Sequence, residues 1–333
     1  MSRAVLVCPD RGSYTTASLG SLPDDDRLVA HADELRAAYD LPALSELDRA
    51  DRFEPSIHGR PANASPLVLL VGLLDAARAK ADHELVAVCG NAMGWHTALA
   101  IAGVLGFDDA FRLVQEMALL EEQSLRDGGP GGQVIYPLTD AAWHPEPRLR
   151  EAVEAVLADD GDVHRSVDLG AWAILGADEG GLGRLLATLP PVPSGGRLFP
   201  MRLARNAPHH TPLVANLAAA AGELMAGLHW EMPRVTLIDG RGVRHTPWSA
   251  SPAELAKYTL DDHLVAPYDF AAGIRVALRE YAPDALVLPG PGLSLGAICG
   301  QLIVAEGYRG IRSRADFEAA QAGADPPVLA VCR

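Results

Sequence analysis

Short apolar runs alternate with longer helical patterns along most of this chain, and the alternation limits the folds that it can adopt. The apolar runs lie at residues 4–8, 66–79, 84–90, 235–238 and 284–290. Short buried strands separated by helices are typical of a parallel sheet that helices cover on both faces. The chain has 333 residues, which is enough for one large domain with an insertion or for two domains. The pattern predicts an α/β fold with a parallel-sheet core.

A different pattern follows the glycine- and proline-rich segment at 128–132. Strand, helix, two strands, helix and strand patterns lie in turn at residues 132–138, 147–160, 164–177, 179–189 and 197–203. This βαββαβ order is typical of a ferredoxin-like unit. We therefore predict an α/β-hydrolase-like large subdomain (1–128 and 204–333) and an inserted ferredoxin-like α+β subdomain (129–203), with another helix at 211–228. The cleft between such units is a favoured ligand site.

Charge and composition disfavour several classes of function. The net charge of −15 disfavours a nucleic-acid-binding surface, because phosphate contacts need clustered Lys and Arg. No metal site is expected, since the eleven histidines lack ligand spacing and the four cysteines (Cys8, Cys89, Cys299 and Cys332) form no CxxC pair. No apolar run approaches the roughly 20 residues that cross a bilayer, and the N-terminus does not resemble a signal peptide. These features predict a cytoplasmic protein with no membrane partner.

The sequence VAVCGNAMGWHTALAIA, residues 86–102, predicts a strand that runs into a helix through a tight turn. Gly90 and Gly94 flank Ala92 in the way that glycines flank the serine of a Gly-x-Ser-x-Gly nucleophile elbow. The backbone N–H of Met93, at the start of the helix, is placed to stabilise an oxyanion. The elbow is complete except for the hydroxyl group.

A second motif, PHHTPL at residues 208–213, contains adjacent histidines before a helical pattern. Histidine is the usual general base for a serine nucleophile, because its pKa lies near neutrality. The pair settles nothing by itself, since a loop histidine is more often structural or solvated.

These motifs, in this order, resemble the malonyl-CoA:acyl carrier protein transacylase family, which includes the acyltransferase domains of polyketide synthases. The family's GHSxGE elbow and "fxDALrLV" helix are matched by GNAMGW (90–95) and FDDAFRLV (107–114). Its "PFHSPLM", "FPGQGSQ" and "vGPGxxL" motifs are matched by PHHTPLV (208–214), CPDRGSY (8–14) and LPGPGLSL (288–295). The resemblance covers nearly the whole chain.

The resemblance implies roles for individual residues. Ala92 stands at the serine position and His210 at the general-base position, with the backbone N–H groups of Met93 and Arg11 as the oxyanion hole. The carbonyl of His263 is the candidate that orients the histidine, because HLVAPYDF (263–270) matches the family's "QLxxPVxW". The implied chemistry is ping-pong transfer of an acyl group from acyl-CoA to the phosphopantetheine thiol of an acyl carrier protein, with no permanently bound cofactor.

Departures from the family pattern at four positions bear on the substrate. Met117 replaces the arginine that pairs with the carboxylate of malonyl groups, which favours an uncharged, non-malonyl acyl group. Arg11, at a position where the family has glutamine, is either a substitute cation or a solvent-facing side chain. Asn91 and Trp95 replace the elbow's His and Glu, as substrate contacts or, for Trp95, as plain packing.

Alanine at position 92 leaves three explanations. The chain is an engineered serine-to-alanine variant, a natural pseudoenzyme that binds acyl groups or carrier protein, or an enzyme in which another group, such as His210 acting on water, has taken over. We favour the first, because the histidine and the glycine turns are intact. An acyl carrier protein thioester hydrolase on the same fold is the alternative to the transferase.

Overall fold

The computed structural model describes residues 1–159 and 161–331, so Cys332, named above, lies outside the described residues. The strands, in chain order, are β1 (Ser2–Cys8), β2 (His83–Gly90), β3 (Gly132–Pro137), β4 (Val163–Asp168), β5 (Trp172–Ala177), β6 (Val192–Ser194), β7 (Arg197–Phe199), β8 (Met201–Arg202), β9 (Thr236–Ile238), β10 (Arg244–His245), β11 (Tyr268–Asp269), β12 (Ala285–Leu288) and β13 (Val328–Ala330).

Helices connect these strands. They are α1 (Arg27–Ala37), α2 (Leu44–Asp48), α3 (Pro61–Asp82), α4 (Gly94–Ile101), α5 (Phe107–Arg126), α6 (Pro147–Asp159), α7 (Glu179–Thr188), α8 (Ala215–Leu224), α9 (Pro252–Lys257), α10 (His263–Val265), α11 (Phe270–Tyr281), α12 (Gly296–Glu306) and α13 (Arg314–Gln321). A π-helical turn, Tyr258–Asp262, joins α9 to α10.

The larger sheet has the strand order β10-β9-β2-β1-β12-β13. Its neighbours are parallel except β9 and β10, which form an antiparallel pair at one edge. Alternate residues of β1 enter two different hydrophobic clusters: Leu6 and Cys8 belong to one, and Val5 and Val7 to the other. Both faces of the sheet are therefore buried, as expected for a parallel sheet covered by helices.

The second sheet has the order β11-β4-β5-β3-β8. Strands β3, β4, β5 and β8 pair antiparallel in the 2-3-1-4 arrangement of a βαββαβ unit, with α6 and α7 as its helices. Strand β11, from residues beyond 204, adds a parallel edge beside β4. The predicted fold class, a parallel-sheet core with a ferredoxin-like insertion, is confirmed, while the subdomain bounds stay a prediction.

Three local expectations differ from the structure. Residues 66–79 lie in α3, because an apolar run of this length suits a buried helix better than a strand. The strand expected at 197–203 is divided into β7 and β8 at Pro200, which lacks the N–H needed by a β-ladder. The helix expected at 211–228 is a 3₁₀ turn, Pro212–Val214, followed by the shorter α8.

Helix α3 also corrects the expectation that no segment approaches membrane-spanning length. Among the described residues, α3 is the one helix whose length and apolar composition would allow it to cross a bilayer. However, 78% of its most apolar window is buried inside the fold. Such burial is typical of the core helix of a globular protein.

Candidate active site

The turn between β2 and α4 has the backbone conformation of a nucleophile elbow. Ala92, at its apex, has φ of +49°, in the left-handed region that L-residues other than glycine rarely adopt. Holding a residue there costs on the order of 1–3 kcal/mol, and such strain is concentrated at functional sites. The chain thus retains a strained corner whose apex carries only a methyl group.

Two close backbone approaches explain the glycines on either side of Ala92. A Cβ on Gly90 would lie 2.3 Å from the carbonyl carbon of Gly94. A Cβ on Gly94 would lie 2.2 Å from the carbonyl oxygen of Cys8. Neither space admits a side chain, so the corner requires glycine at both positions.

His210 is buried and its orientation is fixed by the backbone of the helix ahead of β11. Its Nδ1 lies 2.5 Å from the carbonyl oxygen of His263, which is the contact that the resemblance implies, and its own N–H donates to the carbonyl of Leu264 at 2.6 Å. Because a carbonyl only accepts, Nδ1 carries the proton and Nε2 keeps its lone pair. Burial and the nearby charge of His209 lower the pKa of His210 to about 3, against the opposing effect of the His263 carbonyl.

A cavity of about 90 Å³ lies between the elbow and His210. Its wall includes seven of the eight residues singled out from the sequence: Arg11, Asn91, Ala92, Met93, Met117, His210 and His263. Apolar side chains supply much of the remaining wall, namely Val114, Ala118, Val167, Ile174, Leu203 and Leu264. The two faces of this cavity come from different sheets, since Val167 and Ile174 belong to β4 and β5.

Trp95 is the eighth residue, and it lies outside the wall. Its side chain is fully buried, its Nε1 donates to Oγ1 of Thr259 at 2.9 Å, and its ring meets Tyr258 edge-on. Through these contacts Trp95 packs within the core next to the elbow, and it does not line the cavity.

The backbone N–H groups expected to form an oxyanion hole belong to Met93 and Arg11, both in the cavity wall. In the described part of the chain, neither N–H donates to a protein acceptor. The neighbouring backbone N–H of Asn91 instead donates to the carbonyl oxygen of Cys8 at 2.9 Å. This hydrogen bond connects the elbow to the end of β1.

The side chain of Arg11 is neither solvent-facing nor free. It forms a two-pronged ion pair with Glu121 of α5, with Nη2 lying 2.8 Å from Oε1 and Nη1 in close contact with Oε2. Nη2 also donates to the carbonyl of Arg205 at 2.9 Å and to Oδ1 of Asn206 at 2.8 Å. The Arg11 and Glu121 side chains are only 11% and 3% exposed. Both terminal nitrogens of the guanidinium are thus hydrogen-bonded within the protein.

Glu121 is held from three directions. Besides Arg11, its Oε1 accepts from the backbone N–H of Ala207 at 3.0 Å and lies 3.1 Å from Nε2 of His209. Burial opposes its ionisation, yet the positive charge of Arg11 and the contact with His209 hold the pKa of this carboxyl well below its usual range. His209 therefore belongs to this network, whereas His210 lines the cavity beside the elbow.

Sequence reasoning missed Glu121, and it assigned no chemical role to His96. Glu121 lies one helical turn after Met117 on α5, so helical spacing was an available signal for it. Ala92 precedes α4, so no helical spacing relates it to His96. His96 is buried in the cavity wall, and neither ring nitrogen has a hydrogen-bond partner among the described residues. Burial, followed by the charge of His209, lowers its pKa to about 4, so the ring is neutral.

The sequence also places three arginines near the junction of the predicted subdomains, as a candidate surface for an acidic carrier protein, and it predicts no metal site. Arg197, Arg202 and Arg205 are exposed, but Arg202 forms an ion pair with Glu179, and Arg205 donates to the carbonyl of Pro55. Within residues 1–159 and 161–331, no group of three or more His, Cys, Asp or Glu side chains is arranged to hold a metal ion. Cys8, Cys89 and Cys299 are buried free thiols.

Comparison with known proteins gives sequence relatives over part of the chain, although no family model matches it. A stretch of 145 residues is 28% identical to the malonyl CoA-acyl carrier protein transacylase of Escherichia coli, covering 43% of this chain. The match spans about half the length of that relative, 46%. Polyketide synthase GfsB of Streptomyces halstedii is 27% identical over 218 residues, which is 63% of this chain and 4% of that protein.

The fold comparison covers far more of the chain. The crystal structure of the Synechocystis malonyl-CoA:ACP transacylase superposes with a TM-score of 0.73 at 17% identity, covering 91% of this chain and 94% of the other. This chain has the malonyl-CoA:acyl carrier protein transacylase fold. The transacylase fold also matches a type II polyketide synthase acyl carrier protein complex with its malonyl-transacylase, with a TM-score of 0.72 at 16% identity over 91% and 93% of the two chains.

Proposed function

We propose that this chain is an acyltransferase-type protein of the transacylase family in which alanine stands at the nucleophile position. The observation that carries the proposal is the strained backbone of Ala92, φ +49°, at a glycine-framed corner whose cavity also holds His210. A strained backbone conformation destabilises the folded state and is usually kept only where it serves a function. A single serine-to-alanine replacement in an otherwise assembled site accounts for this arrangement.

The chemistry assigned to the serine form follows from the placement of these groups. The serine hydroxyl oxygen at position 92 attacks the thioester carbonyl while Nε2 of His210 takes its proton. The N–H groups of Met93 and Arg11 stabilise the resulting oxyanion. Collapse of the intermediate forms the acyl-enzyme, and His210 returns the proton to the departing CoA thiol. The phosphopantetheine thiol of a carrier protein then reverses these steps and takes the acyl group.

The substrates and partner are inferred from the relatives. The E. coli relative and the Synechocystis structure are named as acting between malonyl-CoA and acyl carrier protein, and another matching structure contains a carrier protein with its transacylase. We extend to this chain acyl-CoA and acyl carrier protein as ligands, with no permanently bound cofactor. The cytoplasmic location, the subdomain bounds and an acidic carrier surface that docks near Arg197, Arg202 and Arg205 belong to the same proposal.

The acyl group itself is proposed to be uncharged. Met117 lies in the cavity wall with Val114 and Ala118 beside it, where malonyl-type members have the carboxylate-binding arginine. A buried carboxylate without a cationic partner costs several kcal/mol, so this wall favours a neutral chain. The nearest other guanidinium in the wall, that of Arg11, already holds Glu121.

The proposal is tested by restoring the hydroxyl. Ala92→Ser is mixed with a panel of acyl-CoA thioesters, with and without a phosphopantetheinylated carrier protein, and acyl-carrier and free acid are followed by mass spectrometry. Transfer to the carrier that exceeds release of free acid supports the transferase. Free acid at the same rate with and without carrier assigns the site to a hydrolase, and a folded variant that turns over none of the panel contradicts both.

A further inference from the structure

The ion pair between Arg11 and Glu121 lies in the wall of the same cavity as Ala92 and His210. The two residues are 110 positions apart in the sequence and come from the loop after β1 and from the last turns of α5. Ion pairs of this geometry, with two parallel N–H···O contacts, are how arginine binds carboxylates with specificity. Here the bound carboxylate belongs to the protein itself.

The position of Glu121 explains what this pair does to the wall. Glu121 follows Met117 by one helical turn, so both side chains lie on the same face of α5 and both line the cavity. The wall therefore offers an arginine close to the acyl pocket, but that arginine is already neutralised. Asp10, a further acidic residue of the wall, leaves the described charges of the cavity with no positive excess.

We propose that Glu121 is a specificity-determining residue of this site, which excludes acyl groups that end in a carboxylate by occupying the guanidinium of Arg11. An incoming carboxylate must either stay unpaired in a largely apolar cavity or displace Glu121, which would then be buried without its partner. Both courses are unfavourable, whereas a neutral acyl group disturbs no charge. The inference rests on the proposed function, since it concerns the acyl pocket of that same site.

The contacts around Glu121 make displacement especially costly. The carboxylate accepts from the Ala207 N–H at 3.0 Å and lies 3.1 Å from Nε2 of His209. Oδ1 of Asn206 accepts from Nη2 of Arg11 at 2.8 Å, the same nitrogen that donates to Glu121. A substrate carboxylate would have to break several of these contacts together. The ion pair that excludes acyl groups ending in a carboxylate is thus already formed before any substrate binds.

Removal of the negative charge should release Arg11 for a substrate. The test uses the chain with Ala92, because the absence of a nucleophile allows equilibrium binding of thioesters to be measured by calorimetry without turnover. The probes are malonyl-CoA and acetoacetyl-CoA, which have nearly the same shape but end in a carboxylate and a methyl ketone. The ratio of their affinities isolates the effect of the terminal charge and does not depend on acyl transfer. The role proposed for Glu121 can therefore be wrong while the proposed function is right, and the proposed function can be wrong while the role of Glu121 is right.

The unmodified chain is expected to bind acetoacetyl-CoA at least about tenfold more tightly than malonyl-CoA, the equivalent of one charged hydrogen bond. Glu121→Gln should shift the ratio toward malonyl-CoA by about tenfold or more, and the double variant Arg11→Gln/Glu121→Gln should lose that gain. Glu122→Gln is the matched control. It removes the next carboxylate on α5, which pairs with Arg60 at 2.6 Å outside the cavity wall, and should leave the ratio unchanged.

Two results would overturn the proposal: equal affinity of the unmodified chain for both thioesters, or an unchanged ratio in a folded Glu121→Gln variant. Because Glu121→Gln leaves Arg11 buried without its partner, the variant can be unfolded when no ligand is present. In that case malonyl-CoA should restore a cooperative thermal transition and acetoacetyl-CoA should not. Restoration by neither thioester, or equally by both, also contradicts the assignment.

Discussion

Nδ1 of His210 donates a hydrogen bond to the carbonyl oxygen of His263 across 2.5 Å. This contact joins the loop before α8 to the short helix α10, 53 residues further along the chain. It fixes one tautomer of a buried imidazole and leaves Nε2 as the acceptor on the ring. A histidine held in this way serves as a base without needing a carboxylate behind it.

The environment of His210 predicts an unusual pH dependence. Burial and the charge of His209 lower its pKa to about 3, so the neutral, proton-accepting form persists well below neutrality. In Ala92→Ser, kcat/KM for CoA release should therefore stay nearly constant between about pH 5 and 8, whereas an unperturbed histidine with a pKa of about 6.5 would lose activity across this range. A stopped-flow pH profile that falls about tenfold between pH 7 and pH 5.5 would contradict the assignment.

The elbow glycines predict a large effect on stability from a small substitution. In Gly94→Ala the new methyl carbon would lie 2.2 Å from the carbonyl oxygen of Cys8, so backbone must move, at a cost of about 3 kcal/mol or more. Gly183→Ala is the control, because that glycine lies inside α7 with no atom within 4 Å of the added carbon. The control should be neutral or stabilising by up to about 1 kcal/mol. Urea denaturation measures both, and equal stability of the two variants would refute the close approach.

Acid sensitivity is expected from His96. The folded state holds this ring neutral with a pKa of about 4, because burial disfavours the charged form, whereas in the unfolded chain histidine has a pKa of about 6.5. The unfolded state thus binds the extra proton first as the pH falls. The stability contributed by the neutral ring is complete above about pH 6.5 and is lost progressively as the pH approaches 4.

The substitution His96→Leu separates this effect from other acid effects. The unfolded parent binds up to one proton more than the folded parent because of His96, and the substitution removes this difference. One such proton changes the free energy of unfolding by about 1.4 kcal/mol per pH unit. The substitution also removes two buried ring nitrogens without partners, so the variant should be no less stable than the parent at pH 7. Free energies of unfolding from pH 7 to 4.5 should slope less steeply in the variant. Parallel slopes would show that His96 does not titrate differently in the two states.

The sequence was most informative where function depends on local backbone. Glycine spacing indicated the corner at Gly90–Gly94, and a proline-framed loop drew attention to the histidine pair, because both are short-range signals. The choice of His210 as the candidate base came from the resemblance of the motif. The alternation of apolar runs likewise predicted the parallel core. Each of these features depends on only a few neighbouring residues. The order of the motifs along the chain then supported the family resemblance.

Features that depend on distant pairings were not accessible in the same way. Arg11 and Glu121 are separated by 110 positions, and no periodicity shows that their side chains meet. The sequence left Trp95 open between substrate contact and packing for another reason: nearly every residue of α4 is buried, so the helix has no polar face to show which side meets the cavity. The direction of its side chain is decided by packing against Tyr258 and Thr259, from a segment much later in the chain.

In the proposed function, a hydroxyl at position 92 is the one group that the acyl-transfer site lacks. The most direct test is the intact mass of Ala92→Ser after brief exposure to butyryl-, acetoacetyl- and malonyl-CoA, beside that of Ala92→Ser/His210→Ala. A single acyl adduct is expected on Ala92→Ser with a neutral thioester, and it should form about 100-fold or more slowly when His210 is absent. A folded Ala92→Ser that acquires no adduct, or an adduct that forms equally fast without His210, would contradict the proposed function.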